Sequence, residues 1–209
     1  MGLGWSTRTG VTPGAVGAME RLDAPSLKEL AALSGRDPLS RDLLLARVRD
    51  MAVRYSRVRL GRFGAEDTAQ DVAQEVCMAV IAALPTYQER GLPFEAFVYT
   101  IISRKLVDAQ RAAMRGPTPV RDIPDGPDDA PSPETVAVLR DDAAMALALM
   151  QRLPAQQREI LTLRVAVGMS TEETAAALGM STGAVRVAQH RALGKLRTMI
   201  SQAEKGDVA

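Results

Sequence analysis

Apolar residues recur every three to four positions through most of the chain, the spacing of one face of an α-helix. Leu43, Leu44, Val48, Met51, Ala52, Tyr55 and Val58 follow it, so a helix is expected from about Ser40 to just before Gly61-Arg62-Phe63-Gly64. A second should start near Glu66-Asp67, where acids suit the positive end of a helix dipole, and stop at Pro85. Its apolar stripe is Ala69, Val72, Val76, Val80 and Ala83, while Asp71, Gln74, Glu75 and Met78 fall on a different face. A loop from Pro85 to Pro93 leads into a third helix with Phe94, Phe97, Val98, Ile101, Ile102, Leu106 and Ala109 on its buried side. That helix turns polar at its end, through Arg104, Lys105, Asp108, Arg111 and Arg115.

The pattern lapses twice. Residues 1–25 are rich in Gly, Thr, Pro and Ala with no period, and read as disordered. A short helix over Ser26–Leu33 follows, punctuated by Gly35 and Pro38, and the N-terminal tail as a whole is taken as 1–38. The second lapse, Gly116 to Pro133, holds six prolines and several aspartates. Proline removes backbone donors and charge resists burial, so an extended, solvated linker over 116–135 is expected. It separates a helical domain at 39–115 from another at 136–203, with a C-terminal tail at 204–209. The fold class is therefore all-α, two small helical domains joined by a flexible linker.

In the second domain Val138, Leu139, Met145, Leu147, Leu149 and Leu153 supply apolar positions. Pro154 starts a helix with Ile160, Leu161, Leu163 and Val167 inside, and Gly168 ends it. Ser170-Thr171-Glu172-Glu173 is a capping box, Ser and Glu each satisfying the other's backbone amide. A short helix through Ala175, Ala176 and Leu178 meets a turn at Gly179, and Ser181 can cap the next helix. That helix has Val185, Ala188, Ala192, Leu193 and Leu196 inside, and Thr182, Gly183, Arg186, Gln189, His190 and Lys195 outside. The layout is that of a helix-turn-helix, in which Arg can pair with guanine, Gln with adenine, and either with phosphate. A plain helical hairpin with a solvated basic face fits the same pattern.

Composition narrows the chemistry. Aromatics make up 3% of the chain, and helix formers such as Ala, Leu, Arg, Glu and Gln fill most of it. The net charge of +1 says little, but its distribution says more. Between Ser181 and Gln202 the charges are Arg186, Arg191, Lys195 and Arg197, with no acid; between Asp122 and Glu134 all are acidic. Such segregation can present a basic face to phosphate. Cys77 is the sole cysteine and His190 the sole histidine, which excludes an internal disulfide, a Cys-based zinc site and a conventional nucleophile triad. No catalytic residue, cofactor or metal is expected. Met1 to Val11 lacks the apolar run of a signal peptide and no stretch approaches a membrane span, so a cytoplasmic protein is expected.

Two sets of residues then resemble one family. Leu153-Pro154, Gln157-Arg158, Leu161, Leu163-Arg164, Gly168-x-Ser170, Glu173, Ala175, Leu178-Gly179, Ser181, Gly183, Val185-Arg186 and His190-Arg191-Ala192-Leu193 are similar to region 4 of sigma-70-family sigma factors. Asp71-Val72-x-Gln74-Glu75-Val76 resembles region 2.2 of that family. Phe94-x-x-Phe97-Val98-Tyr99-x-Ile101 through Asp108-x-x-Arg111 resembles regions 2.3 and 2.4. The two signatures stand in order, with no room for a region 3 between them, as in the extracytoplasmic-function group. Gln74-Glu75-Val76-Cys77 and Val185 to Leu193 resemble its actinobacterial SigD-like members in particular.

The resemblance implies a region 2 bundle and a region 4 helix-turn-helix, acting as a non-catalytic subunit of RNA polymerase in transcription initiation. Asp71, Gln74, Glu75 and Met78 would dock on the β′ coiled coil of core RNA polymerase, whose β and β′ subunits are the expected partners. Loop 85–93 would capture a flipped base of the −10 element, with Tyr87 for stacking and Gln88, Glu89 and Arg90 for polar contacts. Arg104, Lys105, Arg111 and Arg115 would follow strand phosphates, and Tyr99 is the exposed aromatic beside a buried Phe94 and Phe97. The helix from Ser181 would read the −35 element through Thr182, Gly183, Arg186, Gln189 and His190, with Arg191, Lys195 and Arg197 on phosphate. Promoter DNA and an anti-sigma factor are the other expected partners. The chain departs from the family where Phe97, Thr100 and Arg104 stand in place of the frequent Trp, Arg and Asn, which leaves base-level −10 contacts open. The rival reading is a one-component helix-turn-helix regulator with residues 40–115 as a sensor or dimerisation domain.

Overall fold

The structure, a computed structural model, describes residues 25–61, 65–87, 91–115 and 145–206. In chain order these form α1 (Leu27–Leu33), α2 (Pro38–Leu60), α3 (Ala65–Ala83), a 3-10 turn (Leu84–Thr86) and α4 (Phe94–Arg115). A helical stretch over 145–151 comes next. It is followed by α5 (Ala155–Leu161), which runs on into a π-helical segment (Thr162–Val167), then α6 (Thr171–Leu178) and α7 (Thr182–Gly206). The described residues contain no strand, so the architecture is all-α.

Local chemistry sets the helix ends. Ser26 and Glu29 form a reciprocal capping box at α1: the Glu29 amide donates to Ser26 Oγ at 3.2 Å and the Ser26 amide to Glu29 Oε2 at 2.7 Å. Asp37 caps α2 by accepting from the Leu39 and Ser40 amides. Pro38, expected as a break, occupies the first turn, where its missing N–H is no loss, so α2 begins two residues before the expected Ser40. Gly61 closes α2 in the left-handed region at φ 58°, a conformation that costs a side chain about 1 kcal/mol or more.

The first four helices pack as a bundle, with α2 lying most extensively against α3 and α4 against α3. Leu44, Val48, Ala52 and Tyr55 from α2 meet Ala69, Val72, Val76 and Val80 from α3 and Phe94, Val98, Ile102 and Leu106 from α4, all buried. The expected tail over 1–38 is corrected here, because Leu27 and Leu30 of α1 belong to this core. The disorder expected for residues 1–24 and the linker at 116–135 lie outside the described residues. α7 remains helical through Gly206, three residues into the expected C-terminal tail.

The second half contributes to the same core. Leu163, Val167 and Met169 are buried against the bundle, while Ile160, Ala175 and Val185 form a separate small core within the helix-turn-helix. The expected single helix from Pro154 to Gly168 changes character at Thr162. A π turn is wider than an α turn and commonly marks a functional or strained site. Here it lets Ile160 face its own half while Leu163 and Val167 face the other.

Candidate nucleic-acid interface

The helix-turn-helix is built by its caps. Ser170 accepts from the Glu173 amide at 3.1 Å, and Glu173 Oε2 accepts from the Ser170 amide at 2.7 Å, as the sequence leads one to expect. Gly179 turns the chain at φ 63°, and Ser181 Oγ accepts from the Ala184 amide at 3.2 Å, capping α7. Val185 and Ala192 anchor the inner face of α7, both fully buried. Arg186, His190, Arg191, Lys195 and Gly183 are exposed, as expected of an outward face, and so is the cap Ser181. Thr182 and Gln189 are half-buried. Gln189 Oε1 accepts from Arg164 Nε at 3.1 Å, and Arg164 also donates to the Met169 carbonyl, so this glutamine is held from below and not wholly free to meet a base edge. Arg186 lies 3.7 Å from Glu172 at the surface, a contact worth little in water.

On the bundle, Asp71, Gln74, Glu75 and Met78 are all exposed along one side of α3. An exposed methionine among polar residues is an adaptable apolar contact for a partner. Lys105 of α4 reaches over to Glu75 at 3.0 Å, so a residue expected on DNA pairs with one expected on polymerase. Arg104 and Arg111 are exposed on α4. Gln88, Glu89 and Arg90 lie outside the described residues.

Both aromatic expectations in this region change. Tyr87 is half-buried, its ring 5.0 Å from Phe94 and 4.9 Å from Phe97 in an edge-on and tilted cluster. Its faces are therefore largely used in packing and do not offer an open stacking surface. Tyr99 is also half-buried, its hydroxyl donating to Glu159 Oε1 at 2.8 Å, where the sequence leads one to expect exposure. Tyr55 donates to the same oxygen at 2.7 Å. Burial, and then the Glu159 charge, push both phenols well above their ordinary range. No pattern in the sequence flagged Glu159, Tyr55 or Arg59, because their meeting joins segments about a hundred residues apart.

Cys77 is half-buried, and burial pushes its thiol above the ordinary range. Among the described residues no cluster of His, Cys, Asp or Glu could hold a metal ion. None of their helices is long and apolar enough to cross a membrane.

The exposed face of α3 and the capped helix-turn-helix correspond to two matched families. Residues 43–116 match Sigma-70 region 2, and residues 143–196 match Sigma-70, region 4. The chain belongs to the sigma-70 family of RNA polymerase sigma factors, in its extracytoplasmic-function group. It is 53% identical over 165 residues to the ECF RNA polymerase sigma factor ShbA of Streptomyces griseus, spanning 76% of this chain and 86% of that protein. It is 47% identical over 192 residues to the ECF RNA polymerase sigma factor SigD of Mycobacterium tuberculosis, spanning 91% of this chain and 88% of that one. A similar fold is found in CnrH, solved in complex with the cytosolic domain of CnrY, with a TM-score of 0.56 and 25% identity over 83% of this chain and 96% of that chain. A sigma factor's role is in transcription initiation, and the chain takes that role by membership.

Proposed function

We propose that this protein binds core RNA polymerase in the cytoplasm, reads the −35 and −10 elements of its promoters and promotes melting, leaving the chemistry to polymerase. The observation that carries the reading is the exposed row Asp71, Gln74, Glu75 and Met78 on α3, which takes no part in the buried core of the bundle. It is the surface that would dock on the β′ coiled coil, with β also in contact. α7 would enter the major groove at −35, with the exposed Arg186 and His190 toward bases and Arg191 and Lys195 toward phosphate. Arg104, Lys105 and Arg111 would follow the melted strand, with loop residues Gln88 and Arg90 at the captured base. Each half alone makes a weak contact, and polymerase holds the two at one spacing, so that the second contact becomes intramolecular. A regulatory protein partner is expected, as CnrH is found with the cytosolic domain of CnrY, and the family resemblance implies one of anti-sigma type.

The test is co-migration with sigma-free core RNA polymerase on gel filtration, comparing the native chain with a Gln74→Ala, Glu75→Ala double variant. Stoichiometric co-migration that the variant weakens is the expected result. Absence of co-migration with a cognate core, while the chain alone shifts a palindromic duplex, would replace this reading by a one-component regulator.

A further inference from the structure

On α7 the apolar residues divide into those that pack and one that does not. Val185 and Ala192 are fully buried, and Ala188, Leu193 and Leu196 lie against the two small cores of this half. Val187 belongs to neither core and is 50% exposed. A helix advances about 100° per residue, which sets Val187 within about 30° of the direction opposite Val185 and Ala192. Gly183 and His190 share this outermost strip, Arg186 and Arg191 lie on either flank of it, and all four are exposed. A helical side chain leans over the turn before its own Cα, so the Val187 isopropyl group lies toward Gly183. Gly183 has no side chain to shield it, and nothing stands within 4 Å of where a Cβ there would be. An apolar group is thus left uncovered on a basic face, since the charged residues from Ser181 to Gln202 are Arg186, Arg191, Lys195 and Arg197, with no acid. Helix stability does not favour valine at such a position, because a β-branched residue is a poorer helix former than alanine.

An apolar centre between cations matches the floor and walls of a major groove. Phosphates line the walls, and the one apolar feature that base edges present on the floor is the C5-methyl group of thymine. Valine has neither donor nor acceptor. Against guanine, cytosine or adenine it would strip water from polar base atoms and return no hydrogen bond. Against a thymine methyl, two apolar surfaces leave water together. Gly183 lets the backbone approach the groove floor beside that contact. We propose that Val187 is a specificity-determining residue, its methyl groups meeting the C5-methyl of one thymine in the −35 element. The inference rests on the sigma reading above and adds to it the base that one position of that element must hold.

The experiment uses holoenzyme assembled from the full chain and core polymerase, with a −35 duplex selected from a randomised pool for tightest binding. Each thymine is replaced singly by deoxyuridine, which lacks only the methyl group. One replacement is expected to weaken binding about fourfold, the worth of one buried carbon, and the others to change it little. With Val187→Ala, thymine and uracil at that position should bind alike, both near the level of the native holoenzyme on the uracil duplex. Cytosine there should bind the native holoenzyme less tightly than 5-methylcytosine, which restores the methyl group alone. Circular dichroism verifies that Val187→Ala is folded, as alanine on an exposed helix face should be. Arg191→Ala should weaken the thymine and uracil duplexes equally and keep their ratio at about four. A native holoenzyme indifferent to uracil at every position, or a uracil penalty that Val187→Ala leaves intact, would overturn the assignment. So would a Val187→Ala chain that binds core polymerase more weakly with its uracil ratio unchanged, since Val187 would then be a protein contact. A native chain that does not co-migrate with core polymerase, a result seen before any duplex is added, would overturn the sigma reading itself and this assignment with it.

Discussion

Single residues hold the ends of these helices, and their energies are small but separable. Ser170 satisfies one amide of α6 and draws Glu173 onto another, so Ser170→Ala should cost about 1 kcal/mol. For a chain of this size that is a loss of about 2–4 °C in Tm, measurable by thermal melting. Acid should act at the other end of the molecule. The Ser40 hydroxyl and amide hold Asp37 below its ordinary pKa, and the Ser26 amide does the same for Glu29. Both groups are depressed in the folded state. Their contribution is therefore present above the ordinary carboxylate range and lost as pH falls through the depressed values. Hydrogen exchange at α1 and the first turn of α2 should accelerate below about pH 4 before the rest of the bundle opens. Caps of this kind are legible in sequence because their partners lie within three residues, and the Ser170 box, Gly179 and Ser181 all stand where the pattern leads one to expect. Tyr87 and Tyr99 could not be placed that way. Their exposure depends on rings and carboxylates brought in from elsewhere, and a tyrosine on a helix looks the same whether its hydroxyl meets water or Glu159.

At the scale of elements, α7 combines two kinds of contact that titration with salt can separate. Arg191 and Lys195 are exposed and basic, and are assigned to phosphate. Replacing both with alanine should weaken binding to all duplexes alike and flatten the salt dependence by about 0.9 per lost contact. Arg186→Ala should instead relax the preference at one base position, at a cost of about 1–3 kcal/mol on the preferred duplex alone. Both are read from holoenzyme binding across a salt series with preferred and altered −35 sequences. The extents of α2, α3 and α4 follow from the 3.6-residue period because each buries one broad stripe. The π-helical turn after Leu161 does not follow from it. Ile160 and Leu163 look like neighbours on one apolar face, and only the presence of two different cores, one on each side of the segment, requires the wider turn.

The whole molecule is more continuous than two modules on a string. Order, helical class and division into halves were visible in the chain, because a proline-rich stretch interrupts the period and two family signatures flank it. The contact between the halves was not visible: an amphipathic pattern says that Leu163 and Val167 are buried but not against what. Because they complete the bundle core, Leu163→Ala should cost about 2–5 kcal/mol and lower the unfolding temperature of both halves together. Differential scanning calorimetry of the free chain should show one transition in the native protein; independent unfolding of the halves would contradict a shared core.

That shared core also bears on how the protein can be divided in the laboratory. A fragment beginning near residue 145 would carry Leu163, Val167 and Met169 into water with nothing to cover them, and the complementary fragment would expose the seat they leave. Both pieces would tend to self-associate on expression, for reasons unrelated to DNA affinity. Polar replacements at those three positions, which the intact chain would tolerate poorly, are the changes most suited to making an isolated helix-turn-helix fragment behave as a monomer.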